Sequence, residues 1–463
     1  MADKYYSGLA VSLVSRLLSI AASFVVIWAF NLIGREAYGV YAFAGSLVAI
    51  VIVLSCFGLD QLVLFRQSQD RAKPLPGLLG ASLGRVARIS LVVCLLYLLF
   101  GYVRTEYLEP SVHVPVFLAL ALTIPAMAAT QVYTAWHQAF QHFRKALLVP
   151  RIADVLRLLL LIPLGLLLPN IESFLLVIVV SAWVPLLVYR VDTGTLPAGR
   201  TAIENADRQY ARQMVLVRLI GSGVDHLAII LVGLMTTSAL TAAFALGARI
   251  ASFALLGNQL LAQVTLPRIG ARLGQSDLAG MMGEFDRHRW ISLLVALGVT
   301  TVLLLFGPGI TGLFGSYADA LPVLYVLLSA NIVASGFGPV GNALKMGGHA
   351  SALLTSVWVF ILLLLGTNLV FIPFFGIVGA AFATLASVFM VNLLNWWQCR
   401  RVYRLWTSGP LAFAVILVSI SGVYLFASGM TVPGISILGI VMIFASTRIL
   451  QCGQAMTKSV GCQ

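Results

Sequence analysis

The sequence predicts an all-α membrane protein of about fourteen transmembrane helices. They are laid out as two six-helix lobes related by a pseudo-twofold axis along the membrane normal, with two further helices toward the C-terminus. Three observations carry this expectation. Sixty per cent of the 463 residues are hydrophobic and only ten per cent are charged, whereas a soluble domain carries about a quarter charged residues. The apolar residues gather into runs long enough to cross a bilayer, which takes about twenty residues at roughly 1.5 Å each. Basic residues outside the runs fall almost wholly on one side of the membrane.

The fourteen runs lie at 8–33, 38–64, 86–103, 114–139, 146–168, 173–190, 213–235, 239–266, 290–309, 321–344, 351–372, 376–398, 410–428 and 432–449. The first is too long for a cleavable leader and has no small-residue cleavage site after it. With the N-terminus inside, the cytoplasmic segments are 65–85, 140–145, 191–212, 267–289, 345–350, 399–409 and the tail. Of the Lys and Arg residues, only Arg35 and Arg104 then fall outside, while Glu36, Glu106, Glu109, Glu172 and Asp319 mark the outer loops. One missed helix would invert every later loop, so the asymmetry supports both the count and two cytoplasmic termini.

A repeat accompanies the count. Arg16 and Arg218 lie 202 residues apart, in Val14-Ser15-Arg16-Leu17-Leu18 and Leu216-Val217-Arg218-Leu219-Ile220. This divides the chain into an N-terminal lobe (1–190), a cytoplasmic linker (191–212), a C-terminal lobe (213–398) and a segment of two extra helices with a cytoplasmic tail (399–463). Six helices per half give a parallel repeat, a plan common among transporters that handle substrate between halves.

The net charge is +13. Nucleic acid is excluded as a partner, because no long basic soluble segment exists to hold it. A Gly-rich phosphate loop, a nucleotide-binding domain and a metal cluster are absent from the sequence, so no cofactor is expected. Cys56 and Cys94 lie in apolar spans, and Cys399, Cys452 and Cys462 fall on the cytoplasmic side, where thiols stay reduced.

Six ionisable residues inside the spans carry the site reading: Arg16, Asp154, Arg157, Arg218, Asp225 and Arg249. Charge at bilayer depth is expensive unless it pairs, faces a cavity or reaches the headgroups. Arg218 is near enough to a helix end to reach the headgroups, and Arg16 is intermediate. Arg157, Asp225 and Arg249 lie deeper. Asp154 is three residues before Arg157 and close enough to pair, so a structural ion pair competes with a ligand role there. Asp225, beside His226, is the candidate for ion coupling or pairing, with Asp154 as a further pairing residue. Arg249 shares a polar stripe with Asn258, Gln259 and Gln263. Together these charges sum to +2 and suit an anionic ligand, with Arg249 and Arg157 as the main binding residues and Arg16 and Arg218 in support. Tyr133, Trp136, Trp358, Trp396 and Trp397 are aromatic candidates for stacking on sugar, the last two better suited to an interfacial belt.

Three stretches add a family resemblance. They are Gly34-Arg35-Glu36-Ala37-Tyr38-Gly39-Val40-Tyr41, Phe57-Gly58-Leu59-Asp60, and the run Ile372-Pro373-Phe374-Phe375-Gly376-Ile377-Val378-Gly379-Ala380-Ala381-Phe382-Ala383-Thr384. In order and position they resemble the polysaccharide-biosynthesis flippases, the oligosaccharide-lipid branch of the superfamily that includes the multidrug and toxin extruders. The resemblance covers nearly the whole chain. It implies a non-enzymatic flippase of the bacterial inner membrane, which moves a polyprenyl-(pyro)phosphate-linked oligosaccharide outward by alternating access. Its implied partners are that lipid-linked oligosaccharide, membrane lipids, a polysaccharide polymerase and glycosyltransferases. The arginines would then hold the phosphate or pyrophosphate, for which their planar fork is suited. Rival readings are a multidrug exporter, which would favour an acidic cavity, a sugar polymerase or ligase, which would need a large outer loop, and a peptidoglycan-precursor flippase, which shares the layout.

Overall fold

In the computed structural model, which describes residues 2–69, 75–103, 114–140, 142–194, 205–315, 317–347, 349–403 and 409–460, every regular element is helical. Each of the fourteen predicted runs is occupied by helix. Ten helices among the described residues are long and apolar enough to cross a membrane, and the longest of them, Ser351–Tyr403, bends back at a single residue into two spans. The chain is therefore a multi-pass membrane protein. It divides into two compact units, Met1–Ala242 and Ala243–Gln463. The predicted outer loop 104–113 and predicted linker residues 195–204 lie outside the described residues.

The first unit contains α1 (Ala2–Ile33), α2 (Arg35–Cys56), α3 (Leu59–Gln69), α4 (Pro76–Val103), α5 (Val114–Ala139), α6 (Phe143–Leu148), α7 (Ile152–Leu167), α8 (Ile171–Thr193) and α9 (Asn205–Met235). Two predicted spans are interrupted here. The run 38–64 breaks between α2 and α3, where Phe57 and Gly58 both take positive φ (45° and 69°). The run 146–168 breaks at the 3-10 turn Val149–Arg151, because Pro150 has no N–H to continue α6 and a fixed φ suited to starting a helix.

The motif around Gly34 has a packing role. Gly34 caps α2, and Arg35 Nε donates to the carbonyl of Ala239 at 3.0 Å. A Cβ at Gly39 would run into the backbone of Ser238, so only glycine admits that approach. On α4, Leu91, Leu95, Leu96 and Leu99 are all exposed. This is the lipid-facing side expected where the solvent is hydrocarbon.

The second unit contains α10 (Ser238–Ala251, whose first residues belong to unit one), α11 (Leu256–Gly274), α12 (Leu278–Gly312), α13 (Ala320–Phe337), α14 (Val340–Met346), α15 (Ala350–Tyr403), α16 (Gly409–Ala427) and α17 (Thr431–Val460). The run 239–266 is interrupted by a 3-10 turn at Ser252–Leu255, and 321–344 by Gly338 (φ 74°) and Pro339. Most of segment 267–289 belongs to α11 and α12. Asp277 caps α12 by accepting from the N–H of Gly280 at 2.8 Å. Within α15, Gly376 (φ 58°, ψ −139°) joins two helices with no further loop, and Gly379 lies against the backbone of Phe371. Gly422 and Gly434 likewise face each other where α16 crosses α17.

Candidate functional site

The first unit gathers charge around one carboxylate at the start of α7. Asp154, in the first turn of α7, is buried. Arg151 Nη1 donates to Asp154 Oδ2 at 2.9 Å, and Arg157 Nη1 lies 3.6 Å from Oδ1. Serines on neighbouring helices fix both guanidiniums. Arg151 Nε donates to Ser15 Oγ on α1 at 3.0 Å, and Arg157 Nε to Ser181 Oγ on α8 at 3.0 Å. Arg16 is half-buried and within electrostatic range of Arg151. Two guanidiniums against one carboxylate leave one positive charge in excess. A guanidinium carries five N–H donors, and the bonds named take two on Arg151. The cluster thus retains donors and charge for an incoming anion.

Arg218 is held by a different carboxylate. Its Nη1 donates to Asp60 Oδ2, across 158 residues of sequence. Gln61 Nε2 donates to the same oxygen at 2.9 Å. Asp60 is only 2% exposed. Behind it, Cys56 Sγ lies 3.4 Å from Gln131 Oε1.

Arg249 belongs to the second unit, half-buried in the last turn of α10. Its carbonyl accepts from Ser252 Oγ at 2.7 Å as the chain enters the 3-10 turn, and Asn331 Nδ2 donates to the carbonyl of Ala251 at 2.7 Å. The expected stripe is cut by that turn, and Asn258 instead lies 2.8 Å from His288 Nε2 on α12. His226 is half-buried on α9. The side chains of Asp225 and Gln263 lie outside the described residues.

The structure therefore brings Asp154 and Arg157 together, leaves Arg16 within electrostatic range of Arg151, and joins Arg218 to Asp60. Sequence reasoning missed Arg151, although it stands three residues before Asp154, the same spacing that flagged Arg157. It also missed Arg289, buried in α12 and bound to Asp286 Oδ1 at 3.1 Å and to the carbonyl of Phe337 at 3.4 Å. Two aromatic candidates are packed inside the first unit. Tyr133 stacks on Tyr189 with ring centroids 5.6 Å apart, and Trp136 meets Phe140 edge-on.

Residues 6–271 match the family model described as polysaccharide biosynthesis protein. No curated protein matches the chain. Among solved structures, the lipid II flippase MurJ in an inward closed conformation is similar at a TM-score of 0.66 and 14% identity, over 96% of this chain and 98% of that one. An inward-facing multidrug resistance MATE family transporter of the MOP superfamily gives 0.65 and 13%, over 84% and 94%. A MOP superfamily transporter from Pyrococcus furiosus, described as having a binding pocket of reverse polarity, gives 0.60 and 13%, over 86% and 95%. At these identities the likeness is one of fold.

Proposed function

The chain belongs to the polysaccharide biosynthesis protein family, and from that membership we propose that it is a flippase for a polyprenyl-(pyro)phosphate-linked oligosaccharide. The direction is from the cytoplasmic to the outer leaflet of a bacterial inner membrane, by alternating access, in the building of a surface polysaccharide. Both termini are cytoplasmic in this reading, and glycosyltransferases and a polymerase act before and after it.

One observation carries the proposal: Arg151 and Arg157 share the single buried carboxylate of Asp154 at the start of the apolar helix α7, with Arg16 within electrostatic range of Arg151. A headgroup bearing phosphate and sugar has a prohibitive desolvation cost in hydrocarbon. Arginines offer it charge and paired N–H donors in place of water, and the polyprenyl tail needs no such shelter. A cluster with excess positive charge is a poor host for organic cations, which separates this reading from a multidrug exporter. The lipid II flippase among the fold relatives agrees with a lipid-linked substrate.

The test is flipping in liposomes containing a lipid-linked oligosaccharide, read as access of the sugar to an impermeant modifying enzyme. Movement of the lipid-linked sugar that weakens in Arg157→Gln is expected. Arg249→Gln should lose more activity than Arg249→Lys, which keeps the charge and loses the fork, and full activity in Arg249→Gln removes that residue from the site. Transport of an organic cation without movement of the lipid-linked sugar overturns the proposal. Preference for a peptidoglycan precursor over an oligosaccharide lipid would reassign the substrate.

A further inference from the structure

Arg218 and Asp60 form an uneven pair. The carboxylate side chain is 2% exposed and the arginine side chain 29%. Both sit near the close approach of α9 to the break between α2 and α3. Phe57 and Gly58 break the helix with positive φ, and a Cβ at Gly58 would collide with the carbonyl of Ala211 on α9. Two turns farther along α9, Arg218 reaches back to the first turn of α3. There the unsatisfied N–H groups of a helix start favour a carboxylate. Asp60 Oδ2 accepts from Arg218 and Gln61, while its buried Oδ1 has no hydrogen-bond partner. Arg218 is therefore the charged partner seen on Asp60, and it stands on the open side of the pair.

We propose that Asp60 is an internal counter-anion that competes with the substrate's phosphate for Arg218, and so sets how readily the headgroup is released. The inference rests on the reading of the chain as a flippase for an anionic lipid-linked substrate. A transporter must let its cargo go, and a bare arginine in a low-dielectric site would hold a phosphate tightly. With Asp60 behind it, capture of Arg218 by phosphate leaves a buried carboxylate short of its partner, an unfavourable arrangement. The phosphate gains less, and the returning Asp60–Arg218 contact helps to expel it. Asp60 acts here through Arg218, as a positioning residue rather than a ligand.

The experiment uses the full-length protein and farnesyl diphosphate as a soluble polyprenyl diphosphate probe, with affinity measured beside flipping turnover. Asp60→Asn should bind the probe at least several-fold tighter and flip more slowly, a split that simple loss of structure does not produce. Asp60→Ser, also neutral and smaller, replaces it if Asp60→Asn does not accumulate in the membrane. Arg218→Gln should weaken binding, and adding Asp60→Asn to it should produce no tightening, because the competitor has nothing left to compete for. Unchanged or weaker binding in the folded Asp60 variants overturns the proposal. So does unchanged binding in Arg218→Gln while Arg157→Gln weakens it, a result that leaves the flippase reading standing. Failure of the wild-type protein to bind the probe and to flip a lipid-linked oligosaccharide overturns both.

Discussion

Arg157 and Arg289 share a local plan. Each lies among apolar helices, three residues after an aspartate on its own helix, and each pairs with it. The surroundings then diverge. Arg157 is 18% exposed at the side chain, more open than its aspartate, and that aspartate is shared with Arg151. Arg289 is 1% exposed, far more buried than Asp286, and lies over the ring of Phe285. Its second hydrogen bond goes to the carbonyl of Phe337, the last residue of α13, where a cation complements the helix dipole. The same spacing thus makes an open, arginine-rich cluster in one unit and a closed internal staple in the other. The deciding variable is which member of the pair the fold covers.

The largest effect should follow from breaking the staple. Arg289→Gln removes a cation from the Phe337 carbonyl and a partner from Asp286, and loss of one member of a buried pair costs roughly 3–5 kcal/mol. Membrane abundance and thermal unfolding in detergent should both fall sharply, and an unchanged unfolding temperature would erase the contrast with Arg157. Arg157→Gln should do the reverse. Asp154 keeps Arg151, so stability changes little, while flipping at matched abundance drops tenfold or more, given a charge-assisted hydrogen bond worth roughly 1.5–3 kcal/mol. If Asp154→Asn with Arg157→Gln restores full activity, Arg157 is scaffold and the two regions are alike.

Two glycines sharpen the comparison at the level of backbone. Gly58 and Gly376 both need positive φ, but a Cβ meets the Ala211 carbonyl at the first and open space at the second. Gly376→Ala should cost roughly 1–3 kcal/mol from conformation alone. Gly58→Ala should cost more, because overpacking adds to it; equal losses in unfolding measurements would contradict the close approach of α9.

The smallest effect concerns Asp277, outside the spans. The N–H of Gly280 and then the guanidinium of Arg272 stabilise its charged form and hold its carboxyl below the usual range. A depressed folded-state pKa contributes stability above the unfolded value of about 4, and that contribution fades as the pH falls through the folded value. Asp277→Asn should therefore be slightly less stable than the wild type at pH 7, with the gap closing in acid.

How far the sequence could be read follows from the same contrasts. Spans are legible because twenty consecutive apolar residues have one physical explanation. Their internal breaks are less so. Pro150 and Gly58 are visible signals, but Ser252-Phe253-Ala254-Leu255 contains neither glycine nor proline, and its 3-10 turn follows from packing. Pairs at three-residue spacing are also legible, and Arg151 with Asp154 obeys the rule that flagged Arg157. The bond between Arg218 and Asp60 was beyond reach, because no local spacing relates residues 158 positions apart. Burial was equally hidden, since Asp154-Val155-Leu156-Arg157 and Asp286-Arg287-His288-Arg289 do not announce which arginine will be covered.

The interruption at Phe57–Gly58 also has a mechanical consequence. A continuous helix resists bending because each turn is tied to the next by i→i−4 hydrogen bonds. Across this joint Phe57 instead bonds back to the carbonyl of Leu54, and Leu62 bonds to that of Gly58, so the regular ladder is interrupted. Bending stiffness should therefore be low at two residues and high on either side. A load applied along α2 would turn α3 about that point, while α9, pressed against Gly58, would serve as the fulcrum.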